Sequence, residues 1–155
     1  MGHLGGADFS IAKEPMQITV PMFQKGRSFV LACGLVKAYE GHRFVYLHLL
    51  CQGVECIGKA LLLEHDYKQY EPKLRNDFGH DLEVLINEVS KNSGKALFTP
   101  SAMTELKQLN TYYRRHSLRY GAAIDFDDEA RVVSADNLHR ELVESLTELN
   151  AKFGP

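Results

Sequence analysis

The stretch LRNDFGHDLEVL (74–85) places Arg75, with Asn76 beside it, five positions ahead of His80. An imidazole gains and loses a proton near neutral pH and so suits general acid–base work. A guanidinium keeps its proton throughout that range and can hold a developing negative charge. Arg75 and His80 are therefore candidates for the active pair of a small ribonuclease. The same letters also fit a loop running into a capped helix. On that reading His80 bonds locally at the helix start, beside Asp81, whose charge complements a helix N-terminus.

A second set of candidates lies upstream. His48, Gln52, Glu55 and Lys59 stand at i, i+4, i+7 and i+11, one narrow polar stripe on a helix that is otherwise almost wholly apolar. Glu55 and Lys59 are spaced to form an ion pair. The stripe is either a solvent-facing strip or a partly buried set in which Gln52 and Glu55 bond to another helix or to a ligand; the sequence weighs these evenly. A third set is YYRRHSLRYG (112–121). Arg114, Arg115, His116 and Arg119 gather positive charge on the last turns of a helix, where it complements the dipole. They are either neutralised by the acidic run DFDDE (125–129) or form a patch for phosphate, which guanidinium groups grip in a bidentate manner. Tyr120 and its neighbours Tyr112 and Tyr113 could stack on bases, although aromatics at helical spacing are more often core.

Other chemistries find no pattern. Asp125, Asp127, Asp128 and Glu129 lack the glycine and distal glutamate of a calcium loop. The seven histidines include no HExxH and no His–Cys ligand grouping. There is no Gly-rich phosphate loop and no GxSxG elbow. No metal and no cofactor is expected.

The elements that would position these residues are helical. A first helix is expected over 19–41, opening near Pro21, with a strand at 28–36 as the competing reading because Gly26 and Gly34 weaken a helix. Residues 43–66 form the strongest helix, apolar nearly all round and so suited to the middle of a bundle; Gly53 and Gly58 would let neighbours approach closely. Residues 67–79, polar and containing Pro72, read as a loop. Leu82, Leu85, Ile86 and Val89 mark a short helix over 80–91. A helix over 99–121 starts with Thr99 as N-cap and Pro100 in the first turn. An acidic connection (122–133) leads to a last helix over 134–153 with Ser134 as its cap. The sum is an all-α, up-and-down bundle of about five helices in one domain (16–155), preceded by a flexible tail (1–15).

Composition sets the frame. The chain has 155 residues, enough to bury a core without staples. Its net charge of −2 argues against a protein that coats nucleic acid all over. Cys33, Cys51 and Cys56 suit buried thiols in a reducing, cytoplasmic setting better than a disulfide scaffold. The apolar run from Phe44 to Leu63 is interrupted by Gln52, Glu55 and Lys59, so no membrane span is expected. The opening residues lack a basic start with an apolar middle, so no signal peptide is expected.

LHLLCQGVECIGKALLLEHD, then GHDLEVLINEV, then YYRRHSLRYGA, then DNLHRELVESLTELNAKF, in that order, resembles the HEPN domains (higher eukaryotes and prokaryotes nucleotide-binding). The likeness rests on ExxxKALL at Glu55–Leu62, HDLxxL at His80–Leu85 and the RY pair Arg119–Tyr120, and covers about residues 43–153. It implies a helical bundle that commonly forms homodimers and works near nucleotides or RNA. Some members accompany a nucleotidyltransferase, others are ribonuclease toxins with antitoxins or defence proteins, and many are inactive scaffolds. In active members the ribose 2′-OH attacks the phosphate without a metal, His moves protons and Arg holds the charge. RNDFGH matches their letters. Their pair usually lies on or at the end of a later helix, however, and inactive members also carry a His where His80 stands. The resemblance therefore implies a non-catalytic module that binds a nucleotide, RNA or partner, with a metal-independent ribonuclease or a structural dimer as alternatives.

Overall fold

The structure is a computed structural model, and it describes residues 15–120 and 123–154. Every regular element among them is helical. Five helices are long: α1 (Pro15–Ala38), α2 (Arg43–His65), α4 (Leu82–Ser93), α5 (Pro100–Tyr113) and α8 (Asp136–Phe153). Three single turns join them: α3 (Tyr67–Tyr70), α6 (Ser117–Tyr120) and α7 (Asp128–Arg131). The all-α expectation therefore holds. The expected tail lies outside the described residues except for Pro15, which opens α1.

Helix α2 is the centre. Leu47, Leu50, Cys51, Val54, Ile57, Ala60, Leu62 and Leu63 are each at most 2% exposed, which follows from its apolar circumference. Its length and apolarity alone would let it cross a membrane, but half of its most apolar window is buried within this bundle, as in the core helix of a folded domain. Helix α1 is continuous, with Pro21 inside it; neither the strand reading of 28–36 nor a start at Pro21 holds. The glycines that weakened the helix reading are required by the crossing. A Cβ on Gly26 would come within 2.7 Å of Ile57, and one on Gly53 within 2.7 Å of Val30. Close contact between α1 and α2 offsets the propensity cost of about 1 kcal/mol per glycine. Gly58 does the same for α4, where Leu85 would be 2.8 Å from an added Cβ.

Two expected boundaries differ for physical reasons. Residues 67–78 are not a loop: α3 runs into a 3-10 turn (Glu71–Lys73) and a π turn (Leu74–Phe78). Pro72 sits in the first turn of the 3-10 piece, where its missing N–H costs nothing. The wide π turn buries Phe78 and leaves Arg75 and Asn76 exposed, and Gly79 ends it at φ 49°, a conformation glycine adopts freely. Nor is 99–121 one helix. The helix ends at Tyr113 with Arg114 as its C-cap, and His116 takes φ 61°, at a cost of roughly 1–2 kcal/mol for a non-glycine residue. The break returns Leu118 to the core, where it is 5% exposed.

Helix α5 organises its neighbours with two buried polar side chains. Asn110 Oδ1 accepts from the Leu82 N–H at the start of α4 (2.8 Å), and its amide donates to Asp81. Glu105 Oε1 accepts from the Leu138 N–H in the first turn of α8 (2.8 Å), and Oε2 from the Asn137 amide. Ser134 was the expected cap of that helix. The residue at the cap position is Ala135, with no side-chain bond of its own; Ser134 Oγ accepts only a long bond from the Asp136 N–H (3.4 Å), and Glu105 supplies the short one, to Leu138.

Candidate functional site

Glu55 is the hub. It lies mid-way along α2, 14% exposed in its side chain. Its Oε1 accepts from His80 Nδ1–H at 2.8 Å and from the Tyr113 hydroxyl at 2.8 Å. Its Oε2 accepts from Lys59 Nζ at 3.1 Å. One carboxylate thus ties together α2, the residue ahead of α4 and the end of α5. Burial pushes the Glu55 carboxyl up, but the bonds from His80, Lys59 and Tyr113 outweigh it and hold the group below its ordinary value. Burial, and then the Glu55 charge, push the Tyr113 phenol far up, so it remains a donor.

This settles the two readings of the polar stripe. Glu55 bonds across to other elements, and the expected Glu55–Lys59 pair is present with both side chains 14% exposed. Gln52 stays on its own helix, with its amide 2.9 Å from His48 Nε2. His48 Nδ1 is buried and has no hydrogen-bond partner within the protein. Burial, and then the nearby Arg119 and His116 charges, lower the pKa of His48.

His80 does not bond locally at the helix start. Its Nδ1–H is fixed on Glu55, so the neutral ring carries its free acceptor on Nε2. The ring is half exposed. It packs edge-on against Tyr113 and against His116, with ring centroids 5.9 and 4.9 Å away. Asp81 caps α4 by accepting from the Val84 N–H, and Arg114 lies 3.6 Å from its other oxygen.

Arg75 and His80 line one open cleft with Lys59, Tyr67 and Asn76, over a floor that includes Ile18, Met22, Leu63 and Leu74. His80 therefore stands between this cleft and the basic turn after α5. Of that turn, Arg114 pairs with Asp81, Arg115 is exposed, and Arg119 acts on His48 from within α6. The side chain of Tyr120 lies outside the described residues. Tyr113, expected as core or as a stacking surface for bases, bonds Glu55 through its hydroxyl; Glu55 is 58 residues away in sequence, so local spacing gave no signal for that bond.

Chemically, the arrangement presents Lys59, His80 and Arg75 toward one cleft, with an oriented imidazole whose free nitrogen can accept or return a proton. Among the described residues no group of three or more His, Cys, Asp or Glu side chains could hold a metal ion. No protein-family model, no curated protein and no solved structure matches this chain.

Proposed function

We propose that this chain is a HEPN-like, non-catalytic module that binds a phosphate-bearing ligand, a nucleotide or RNA, in the cleft beside His80. The observation that carries this reading is the Glu55 hub, which fixes Lys59 and His80 in place beside a cleft that Arg75 also lines, with Glu71 the carboxylate on its wall. Arg75 on the π turn supplies an exposed guanidinium at the cleft. The apolar floor offers contact for a base or sugar, and the Arg115–Arg119 turn extends the positive surface. The setting proposed is the cytoplasm, as a homodimer, with a nucleotidyltransferase or an antitoxin as protein partner.

The test is fluorescence anisotropy with a labelled single-stranded oligoribonucleotide and with a mononucleotide, over a salt series. Binding is expected to weaken steeply between about 50 and 200 mM salt. Lys59→Ala and Arg119→Ala should each weaken it several-fold and flatten the salt dependence. No association with either probe at any salt would reject the reading and leave a structural dimer. A dimer of that kind should sediment as such and unfold on dissociation.

One observation favours a second reading. A carboxylate that orients an imidazole, with an arginine across the same cleft, is the arrangement a metal-independent ribonuclease needs. In that reaction His80 Nε2 takes the proton of the attacking ribose 2′-OH and returns one to the leaving 5′-oxygen, while Arg75 holds the phosphate. Purified protein should then degrade RNA in EDTA, and His80→Ala should abolish the activity. Degradation unchanged in that variant would end this reading.

A further inference from the structure

An ionised carboxylate has no hydrogen to give, so the 2.8 Å contact between Glu55 Oε1 and His80 Nδ1 fixes a proton on Nδ1. In the neutral ring Nε2 then carries a lone pair and can only accept. An ionised phosphate likewise offers only acceptors. A neutral His80, lining the cleft, would therefore meet a phosphate oxygen lone pair to lone pair. The charges of the cleft lead to the same place. Lys59 and Arg75 bring two positive charges to it. Glu71 on its wall and Glu55, bonded to Lys59 at 3.1 Å, bring two negative ones. With a neutral ring this set offers an anion no net attraction.

We propose that the phosphate-bearing ligand enters the cleft together with one proton from solvent, taken up at His80 Nε2, so that binding strengthens as pH falls; this rests on the binding reading above. The second proton turns Nε2 into a donor to the phosphate while Nδ1–H stays on Glu55, and it leaves the cleft with a net positive charge. The surroundings of the ring suit that role. Bonds from His80, Lys59 and Tyr113 hold the Glu55 carboxyl below its ordinary value despite burial, so it stays ionised behind the ring and favours the imidazolium. The Tyr113 phenol is pushed far up by burial and then by the Glu55 charge, so it keeps its proton and does not compete. Arg114, at the end of α5, is offset by Asp81 at 3.6 Å. His48, packed on Tyr113, is held toward its neutral form by burial and then by the Arg119 and His116 charges. His116 opposes the second proton: its ring stands edge-on to His80 with centroids 4.9 Å apart, and two imidazolium ions at that distance repel. Lys59 and Arg75 oppose it as well. The phosphate supplies the negative charge that outweighs these cations, which couples the proton to the ligand.

The test uses the full chain and a labelled oligouridylate without terminal phosphates, whose diesters and bases do not titrate near neutral pH, so that any pH dependence belongs to the protein. At constant ionic strength its affinity should rise roughly three- to tenfold per pH unit as pH falls from about 8 to 6.5. Calorimetry in two buffers of different ionisation enthalpy should show uptake approaching one proton per site. His80→Gln keeps an N–H for the phosphate but cannot titrate, so it should bind with no dependence on pH. His116→Asn, which suits the left-handed backbone there, should keep the dependence. Binding that is indifferent to pH in wild type overturns the proposal and leaves the binding reading standing. A dependence that persists in His80→Gln also overturns it, because the proton then sits elsewhere. No association at any pH or salt overturns both. If His80→Gln does not fold, nitrogen NMR of wild type decides: saturating ligand should carry His80 Nε2 to its imidazolium position, and a ring that stays neutral overturns the proposal.

Discussion

Replacing Glu55 by Gln tests the hub directly. The substitution keeps the side-chain volume, so packing is not at issue. A glutamine carbonyl can still accept from His80 and Tyr113, but its amide then faces Lys59 as a second donor. Lys59, 14% exposed, is left as a largely buried charge without its partner. Breaking a fully buried pair costs about 3–5 kcal/mol, and a charge-assisted bond contributes about 1.5–3 kcal/mol. Because the cleft admits water to Lys59, the expected loss is about 2–3 kcal/mol. In urea unfolding, with a slope of about 2 kcal/mol per molar, the midpoint should fall by roughly 1–1.5 M with the slope unchanged. The sign of the pH dependence follows from the direction of the shift. The folded-state pKa of Glu55 lies below the ordinary 4.5, so the advantage of wild type over Glu55→Gln is full above about pH 4.5. It shrinks as pH falls through the lowered value. A loss under about 0.5 kcal/mol at neutral pH would refute the reasoning and return the stripe to a solvent-facing role.

Four further outcomes follow from the same geometry. Tyr113→Phe keeps the ring packing and removes one donor to Glu55, so it should cost about 1 kcal/mol in urea unfolding. Glu105→Ala strips an acceptor from the first turn of α8 and should cost about 2–3 kcal/mol, whereas Ser134→Ala should cost under about 0.5 kcal/mol; comparable losses would place the cap at Ser134 after all. Gly53→Ala drives a Cβ to 2.7 Å from Val30, and the overpacking should outweigh the helix-propensity gain, for a net loss of about 1–2 kcal/mol by thermal melts. His48→Asn should be less acid-sensitive than wild type. The folded state lowers the pKa of His48 below 6.5, so in wild type the unfolded chain takes up the proton first as pH falls below 6.5, and stability drains away. Melting curves between about pH 7 and 5 report this, and parallel curves for the two proteins would contradict it.

The apolar circumference of α2 and the i, i+3, i+4, i+7 face of α4 made the helical class legible in the sequence, because burial pattern and helical period agree there. The spacing of His48, Gln52, Glu55 and Lys59 made the stripe legible as a unit. What lies across from it was not. His80 reads locally as a helix-start residue and Tyr113 as core or a stacking surface, and only the packing of α2 against both the start of α4 and the end of α5 brings the two onto one carboxylate. Boundaries failed where the chain uses less regular turns: Pro72 marks the beginning of a helical turn and not an end, and nothing in RRHS announces the left-handed His116. The cap of α8 was misplaced because Glu105, its acceptor, is distant in sequence.

The proposed site depends on His80 being held by Glu55 through Nδ1 and offering Nε2 to a phosphate-bearing ligand. Side-chain nitrogen NMR of the histidines, followed while a mononucleotide is added at low salt, tests both halves together. Expected is a His80 ring protonated at Nδ1 whose Nε2 resonance moves saturably with ligand and stays fixed in the Lys59→Ala variant. A ring protonated only at Nε2, or an Nε2 resonance indifferent to saturating nucleotide, would contradict it.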